Sequence, residues 1–137
     1  MALETTLVYK TGQAIPFTVA NGTGIEKGAV LKLTDPMTAA TTTGDTDACA
    51  GIAASEKIAS DGKVKLGVFR EGIFRGFAGA AGVTAGQGII TDTSTGAANE
   101  LVNADVNSEN IVGVALETAT DGQSFLFELK PFGINLA

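Results

Sequence analysis

Short runs in which apolar and polar side chains alternate recur along the whole chain. In residues 124–130, Phe125, Phe127 and Leu129 fall on one face of an extended segment, and mostly polar side chains fall on the other. Alternation with a period of two is typical of a β-strand with one buried face, and glycine or Asp-Gly turns separate the runs. The strands predicted in this way cover residues 15–20, 29–34, 64–69, 72–77, 87–92, 111–116 and 124–130.

The chain also carries an internal repeat. Residues 25–35 and 83–93 each place a glycine shortly before a strand, and each is followed by an apolar segment, an Asp-Gly turn and a further strand. The two copies are about 60 residues apart, which indicates two similar units that need the same backbone turns. The paired positions are Gly28 with Gly86, Gly51 with Gly113, and Asp61-Gly62 with Asp121-Gly122.

These patterns predict an all-β fold, a small glycine-rich β-barrel or sandwich built from the two similar units. We expect an extended N-terminal arm over residues 1–14 and a single domain over residues 15–137. The repeat units lie at about 25–77 and 83–130. Helix signals are weak, so at most one or two short helices are expected. Residues 48–59 and 103–110 are the candidates, and each could instead form a strand and a turn.

Charge narrows the range of partners. The formal net charge is −6, and the nine lysines and arginines are scattered along the chain. Nucleic acids and anionic membranes are bound through clustered Lys and Arg side chains. We therefore expect neither a nucleic acid nor a membrane as a partner.

The side chains that most catalytic sites need are missing. The chain has no histidine and one cysteine, Cys49, which excludes Ser-His-Asp and Cys-His sites. We interpret Ser55 and Lys57 as a solvated surface pair and Cys49 as a small buried hydrophobe. The prediction is a protein that is not an enzyme, with no catalytic residue, no metal site and no cofactor.

Both ends of the chain carry apolar side chains outside the predicted units. Leu3, Leu7 and Tyr9 precede the first unit, in a stretch with no obvious partner strand. Three more follow Pro131 at alternating positions: Phe132, Ile134 and Leu136. Such tails either pack on their own domain or lie along a partner by adding a strand or filling a groove, and the pattern leaves both open.

Several segments resemble the cement proteins, also called decoration proteins, that coat the capsids of tailed phages. The opening segments are Tyr9-Lys-Thr-Gly12, Ile15 to Ala20, and Ile25-x-x-Gly28-x-Val30. The later ones are Gly51-Ile-Ala-Ala, Asp61-Gly62, Ile73-Phe74, Val83-Thr-Ala-Gly86 and Ile111-Val-Gly113-Val-Ala. Together they span residues 9–130, most of the chain.

This resemblance implies a virion structural protein, made in the host cytoplasm, that binds the outside of an assembled capsid as a homotrimer. It would stabilise contacts between subunits of the major capsid protein, largely through its N-terminal arm. The candidate capsid contacts are Leu3, Thr5, Leu7 and Tyr9, and the candidate oligomer or partner contacts are Phe132, Ile134 and Leu136. The alternatives are another virion module, such as a head-fibre base or a tail-tube subunit, and a small-ligand-binding β-barrel.

Overall fold

The computed structural model of the chain describes residues 4–43, 47–92, 99–104 and 110–132. Within these ranges the regular structure consists of eleven β-strands and no helix, so the all-β prediction is confirmed. The strands are β1 (Thr6–Tyr9), β2 (Ile15–Thr18), β3 (Val30–Thr34), β4 (Thr38–Thr41), β5 (Cys49–Ala53), β6 (Lys65–Phe69), β7 (Gly72–Ala78), β8 (Gly88–Thr91), β9 (Glu100–Asn103), β10 (Ile111–Ala115) and β11 (Ser124–Phe132).

Strands β2 to β6 form one closed barrel, barrel 1, and β7 to β11 form a second, barrel 2. The order around barrel 1 is β2-β4-β3-β5-β6, and the order around barrel 2 is β7-β9-β8-β10-β11. In each barrel the first strand runs parallel to the third, and the other neighbours are antiparallel. The identical order confirms that the fold consists of two similar β-units.

The boundary between the two barrels lies between Phe69 and Gly72. The strand Gly72–Ala78, which the sequence repeat assigned to the first unit, opens barrel 2 because it pairs with β9 and β11. Its counterpart in barrel 1 is β2. The strand registers extend the equivalence to single residues, since Leu31 lies opposite Gly51 just as Ile89 lies opposite Gly113.

Of the two alternatives for residues 48–59, the strand is the one observed, because Cys49–Ala53 forms the fully buried strand β5 and not a helix. Ala50 and Ala53 belong to the core of barrel 1. Cys49 and Ile52 belong to the other core cluster, most of whose residues come from barrel 2. A strand buried on both faces has no polar alternation, so its sequence resembles a buried helix. In the second candidate, 103–110, Asn103 ends β9, and residues 105–109 lie outside the described residues.

Two equivalent glycines allow neighbouring strands to approach closely. A side chain on Gly51 would collide with the carbonyl oxygen of Phe69 at the end of β6. A side chain on Gly113 would collide with the carbonyl oxygen of Glu128 in β11. Both positions therefore need glycine for the same reason, a close backbone approach inside the barrel wall.

The two barrels share one continuous apolar region. The interior of barrel 2 contains three phenylalanine rings. The Phe74 and Phe127 rings are stacked with centroids 6.1 Å apart, and the Phe125 and Phe127 rings are tilted with centroids 5.6 Å apart. Val30 and Ile52, on the outer wall of barrel 1, are completely buried against this cluster. Burial of each such side chain stabilises the fold by about 1.5–3 kcal/mol, so the two barrels form a single packed body.

Candidate functional site: the N-terminal strand

The N-terminal strand β1 crosses the junction between the two barrels. It pairs antiparallel with β7, with Thr6 opposite Arg75 and Leu7 opposite Phe74. In barrel 1, the carbonyl of Gly28 accepts hydrogen bonds from both the N–H and the Oγ1 of Thr5, each at 2.8 Å. The arm therefore has partners in both barrels, which the sequence alone did not reveal.

The predicted capsid-contact residues occupy different environments. Thr5 is buried and its polar groups bond to Gly28, whereas Leu7 and Tyr9 are exposed, Tyr9 by 65%. Val8 is exposed as well, although the alternating pattern had not singled it out. Leu3 lies outside the described residues. All four residues of β1 are exposed, so the strand presents three consecutive apolar side chains to solvent.

A groove of about 580 Å³ lies beside β1. It is lined by Glu4–Leu7 of the arm, by Lys27 and Gly28, and by side chains of the shared core that include Phe69 and Phe74. Apolar lining with a few charged and polar groups suits an extended segment or a single apolar side chain of a partner. The exposed strand and the groove together form the candidate site.

The C-terminal candidates lie at or beyond the end of β11. Phe132 is the last residue of that strand and lies opposite Ile111 of β10. Its side chain, together with Ile134 and Leu136, lies outside the described residues. Their role in oligomer or partner contact stays a prediction.

Lys57 is not the surface residue that the sequence analysis expected. Its side chain is fully buried, and Nζ donates to the carbonyls of Asn21 at 2.7 Å and Ile58 at 3.1 Å, and to Asp61 Oδ1 at 3.2 Å. The interpretation as a solvated pair with Ser55 is wrong, because two loops fold around the ammonium and together supply three acceptors for its three donors. Lys57 therefore ties two loops of barrel 1 together.

The pKa values of Asp61 and Cys49 are shifted by hydrogen bonds and by burial within the fold. The N–H of Lys63, with help from Lys57 and the N–H of Ile58, lowers the pKa of Asp61 below its ordinary value of 3.8. Burial raises the pKa of the Cys49 thiol from 9.0 to about 12. The thiol therefore stays protonated at neutral pH, when only a thiolate would act as a nucleophile.

Neither a metal-ligand cluster nor a membrane-spanning helix is present in the part of the chain that the structure describes. Across residues 4–43, 47–92, 99–104 and 110–132, no three side chains of the metal-binding types come together. The same ranges contain no helix that is long and apolar enough to cross a bilayer.

Comparison with known proteins places this geometry in context. The family model for phage cement proteins matches residues 9–129. A similar solved structure is the head fibre gp8.5 N base of bacteriophage phi29, with a TM-score of 0.57 and 14% sequence identity. The match covers 89% of this chain and 98% of that one, and at such low identity it shows a common fold alone. The search of curated proteins gives no match.

Proposed function

This chain belongs to the phage cement protein family, and from that premise we propose that it binds the outer surface of the assembled phage head as a homotrimer. On the head it stabilises contacts between subunits of the major capsid protein. Family membership makes the protein a structural component of the virion, on the capsid. The family and the fold both favour a role without catalysis.

The exposed apolar surface of β1 carries the proposal. Leu7, Val8 and Tyr9 are in contact with solvent, although apolar side chains clustered in this way usually mark an interaction site. A strand at the edge of a sheet also offers main-chain groups to a partner strand. Because β1 is bonded to both barrels, it is held in place before a partner arrives, which lowers the entropy cost of binding.

Repetition over a symmetric shell would strengthen this contact. Each copy contributes one β1, so a trimer would engage the head at three points at once. When the first strand binds, the other two are held at a high effective concentration near their own sites. A modest apolar contact is then sufficient for stable coating.

Aspartate at Val8 and Tyr9 tests the proposal. Both side chains are exposed, so the V8D/Y9D variant should keep the pairing of β1 with β7 and melt within a few degrees of the wild type. Wild-type protein should bind purified expanded heads saturably in co-sedimentation. Two apolar contacts of about 1.5 kcal/mol each would be lost, so the variant should bind about 100-fold more weakly.

The matched control is the I58D/V64D variant, which places two aspartates at exposed apolar positions in another loop of barrel 1. It should bind heads as the wild type does. Equal binding by V8D/Y9D and wild type would remove β1 from the contact. Failure of the wild type to bind heads at all would overturn head coating itself.

The second candidate is the base of a head fibre, which the structural similarity to the phi29 protein favours. A fibre base must hold a fibre, whereas a cement protein covers the shell. Electron micrographs of heads saturated with this chain distinguish the two. A smooth added layer at many equivalent positions supports cementing, and isolated projections support a fibre base.

A further inference from the structure

The contact between the two barrels within one chain is formed by different surfaces of the two units. Three of the barrel 2 residues at this contact make a ring contact or a hydrogen bond to the outer wall of barrel 1. The Phe74 ring lies 6.0 Å from the Phe69 ring, and Thr91 Oγ1 accepts a hydrogen bond from the N–H of Asp47 at 3.2 Å. Asn99 Oδ1 accepts one from the N–H of Val30 at 2.9 Å.

The contact is therefore not two-fold symmetric. Under a two-fold axis, the equivalents of these residues in barrel 1 would be buried in the same contact. The strand registers give the equivalents as Ile15 for Phe74, Leu33 for Thr91 and Met37 for Asn99. In barrel 1, Ile15, Leu33 and Met37 are 37%, 38% and 52% exposed. Their equivalents in barrel 2 are 1%, 1% and 4% exposed. Barrel 2 thus docks head-to-tail on barrel 1.

The same docking surface is left uncovered on barrel 1, and it is more apolar there. We name Ile15, Leu33 and Met37 the docking face. Thr91 and Asn99, at two equivalent positions in barrel 2, bond to barrel 1 through polar atoms. Exposed isoleucine, leucine and methionine at these positions are suited to a partner surface that is apolar rather than to solvent.

A matching surface is available on the outer wall of barrel 2. In barrel 1 that wall is formed by Val30, Cys49, Ile52 and Phe69, whose equivalents by register are Gly88, Ile111, Val114 and Glu128. We name these four residues the receiving face. All four are only half-buried in the single chain, whereas Val30, Cys49 and Ile52 are covered by barrel 2.

We infer that a second copy of this chain covers both faces: the docking face of one copy packs on the receiving face of the next. The contact inside the chain is the template for the contact between chains. A head-to-tail contact generates a ring when its rotation closes. The inference rests on the proposed function for the number of copies, and with three chains the ring contains six barrels related by approximate six-fold symmetry.

Aspartate at Leu33 and Met37 tests the docking face in solution, without phage heads. Aspartate tolerates the positive φ of Met37, so the L33D/M37D variant is expected to fold. Wild-type protein should have about three times the mass of one chain in light scattering, and L33D/M37D should have the mass of one chain, 13.8 kDa. I58D/V64D is again the control. Thr120 and Gln123, the equivalents of Ile58 and Val64 in barrel 2, are exposed and so lie outside the contact between the barrels, and this variant should therefore assemble normally.

Mixing two defective variants tests whether the contact is head-to-tail. Val114→Lys should block the receiving face, with Ile111→Lys as a second choice if the first fails to fold. Each variant alone has lost one half of every contact, so each should be monomeric. A mixture of V114K with L33D/M37D retains one intact docking face and one intact receiving face, so it should form dimers that stop growing.

The outcomes separate this inference from capsid binding. A wild type that stays monomeric in solution and on heads, or an L33D/M37D variant that assembles normally, overturns the inference. A mixture that stays monomeric excludes the head-to-tail contact. Because β1 is unchanged in these variants, loss of head binding by V8D/Y9D remains a separate result.

Discussion

Barrel 1 and barrel 2 share one topology but place their large core side chains at different positions of the same two paired strands. In barrel 1 the large side chain is Phe17 on β2, and β6 contributes the smaller Leu66 and Val68. In barrel 2 the position equivalent to Phe17 is Gly76 on β7, and β11 contributes Phe125 and Phe127 at the equivalents of Leu66 and Val68. A ring atom of Phe127 lies 2.8 Å from the position that a Cβ on Gly76 would take, which is too close for a side chain there.

The difference shows which features the fold requires and which can vary. The strand order, the close glycines Gly51 and Gly113 and the turn glycines are common to both barrels, so they are demands of the backbone. The positions of the largest core side chains differ between the barrels, as expected when packing needs volume rather than one particular residue. Lys57 in one barrel and Ala119 in the other show the same freedom at the loops.

The largest expected effect comes from exchanging the core arrangement of barrel 2 into barrel 1. Phe17→Gly alone should lower the free energy of unfolding by about 4 kcal/mol, because it leaves a cavity. Val68→Phe alone should lower it by about 1–3 kcal/mol through overpacking. The F17G/V68F double variant reproduces the Gly76–Phe127 arrangement and should lose less than F17G alone, as measured by urea denaturation.

The double-mutant cycle makes this comparison quantitative, since residues that share a cavity are coupled. The control is Phe17→Gly with Val19→Phe, in which the added ring starts from another position of the same core. Additive losses for F17G and V68F would contradict the interpretation that the two barrels solve one packing problem.

A smaller effect should separate the equivalent glycines Gly28 and Gly86. Both have a φ of +88°. A side chain on Gly28 would collide with the carbonyl of Thr5, whereas a Cβ on Gly86 would have no other atom within 4 Å. Gly86→Ala should lower the free energy of unfolding by about 1–2 kcal/mol, the cost of a left-handed conformation for alanine. Gly28→Ala should lower it by about 1–3 kcal/mol more by displacing the arm.

Hydrogen exchange tells whether the additional loss arises at the arm. In Gly28→Ala the amides of β1 should exchange faster than in Gly86→Ala, because the bonds from Thr5 to Gly28 are broken. Equal protection of β1 in the two variants would mean that Gly28 does not hold the arm.

Much of the fold could be predicted from the sequence because exposed strands alternate and turns need glycine. The seven predicted strands all exist, and the repeat of Gly28 with Gly86 marked the two units. The strand β5 could not be distinguished from a helix because both of its faces are buried. The order of the strands could not be predicted, since alternation shows which face of a strand is buried but not which strand lies beside it.

Less of the candidate site could be predicted. The position of Leu7 and Tyr9 before the first unit indicated apolar contact, but the burial of Thr5 depends on a carbonyl in barrel 1 that is 23 residues away. Lys57 was misread because three acceptors from two loops surround it, and no local pattern encodes that arrangement. Both cases concern polar groups that find partners through the tertiary fold.

The smallest predicted effect concerns the Asp-Gly turn that follows Lys57 in barrel 1 and Ala119 in barrel 2. The hydrogen bond from Lys63 N–H, together with Lys57, lowers the pKa of Asp61 in the folded chain. A lowered folded pKa contributes stability above the unfolded pKa, and this contribution is lost as the pH falls through the folded pKa. Asp61→Asn should therefore lower the melting temperature by a few degrees at neutral pH, and the difference from wild type should shrink below about pH 4. Asp121→Asn, in the equivalent turn beside Ala119, is the control and should have the smaller effect at neutral pH. A difference between wild type and Asp61→Asn that is the same in acid as at neutral pH would show that the carboxylate charge does not hold this loop.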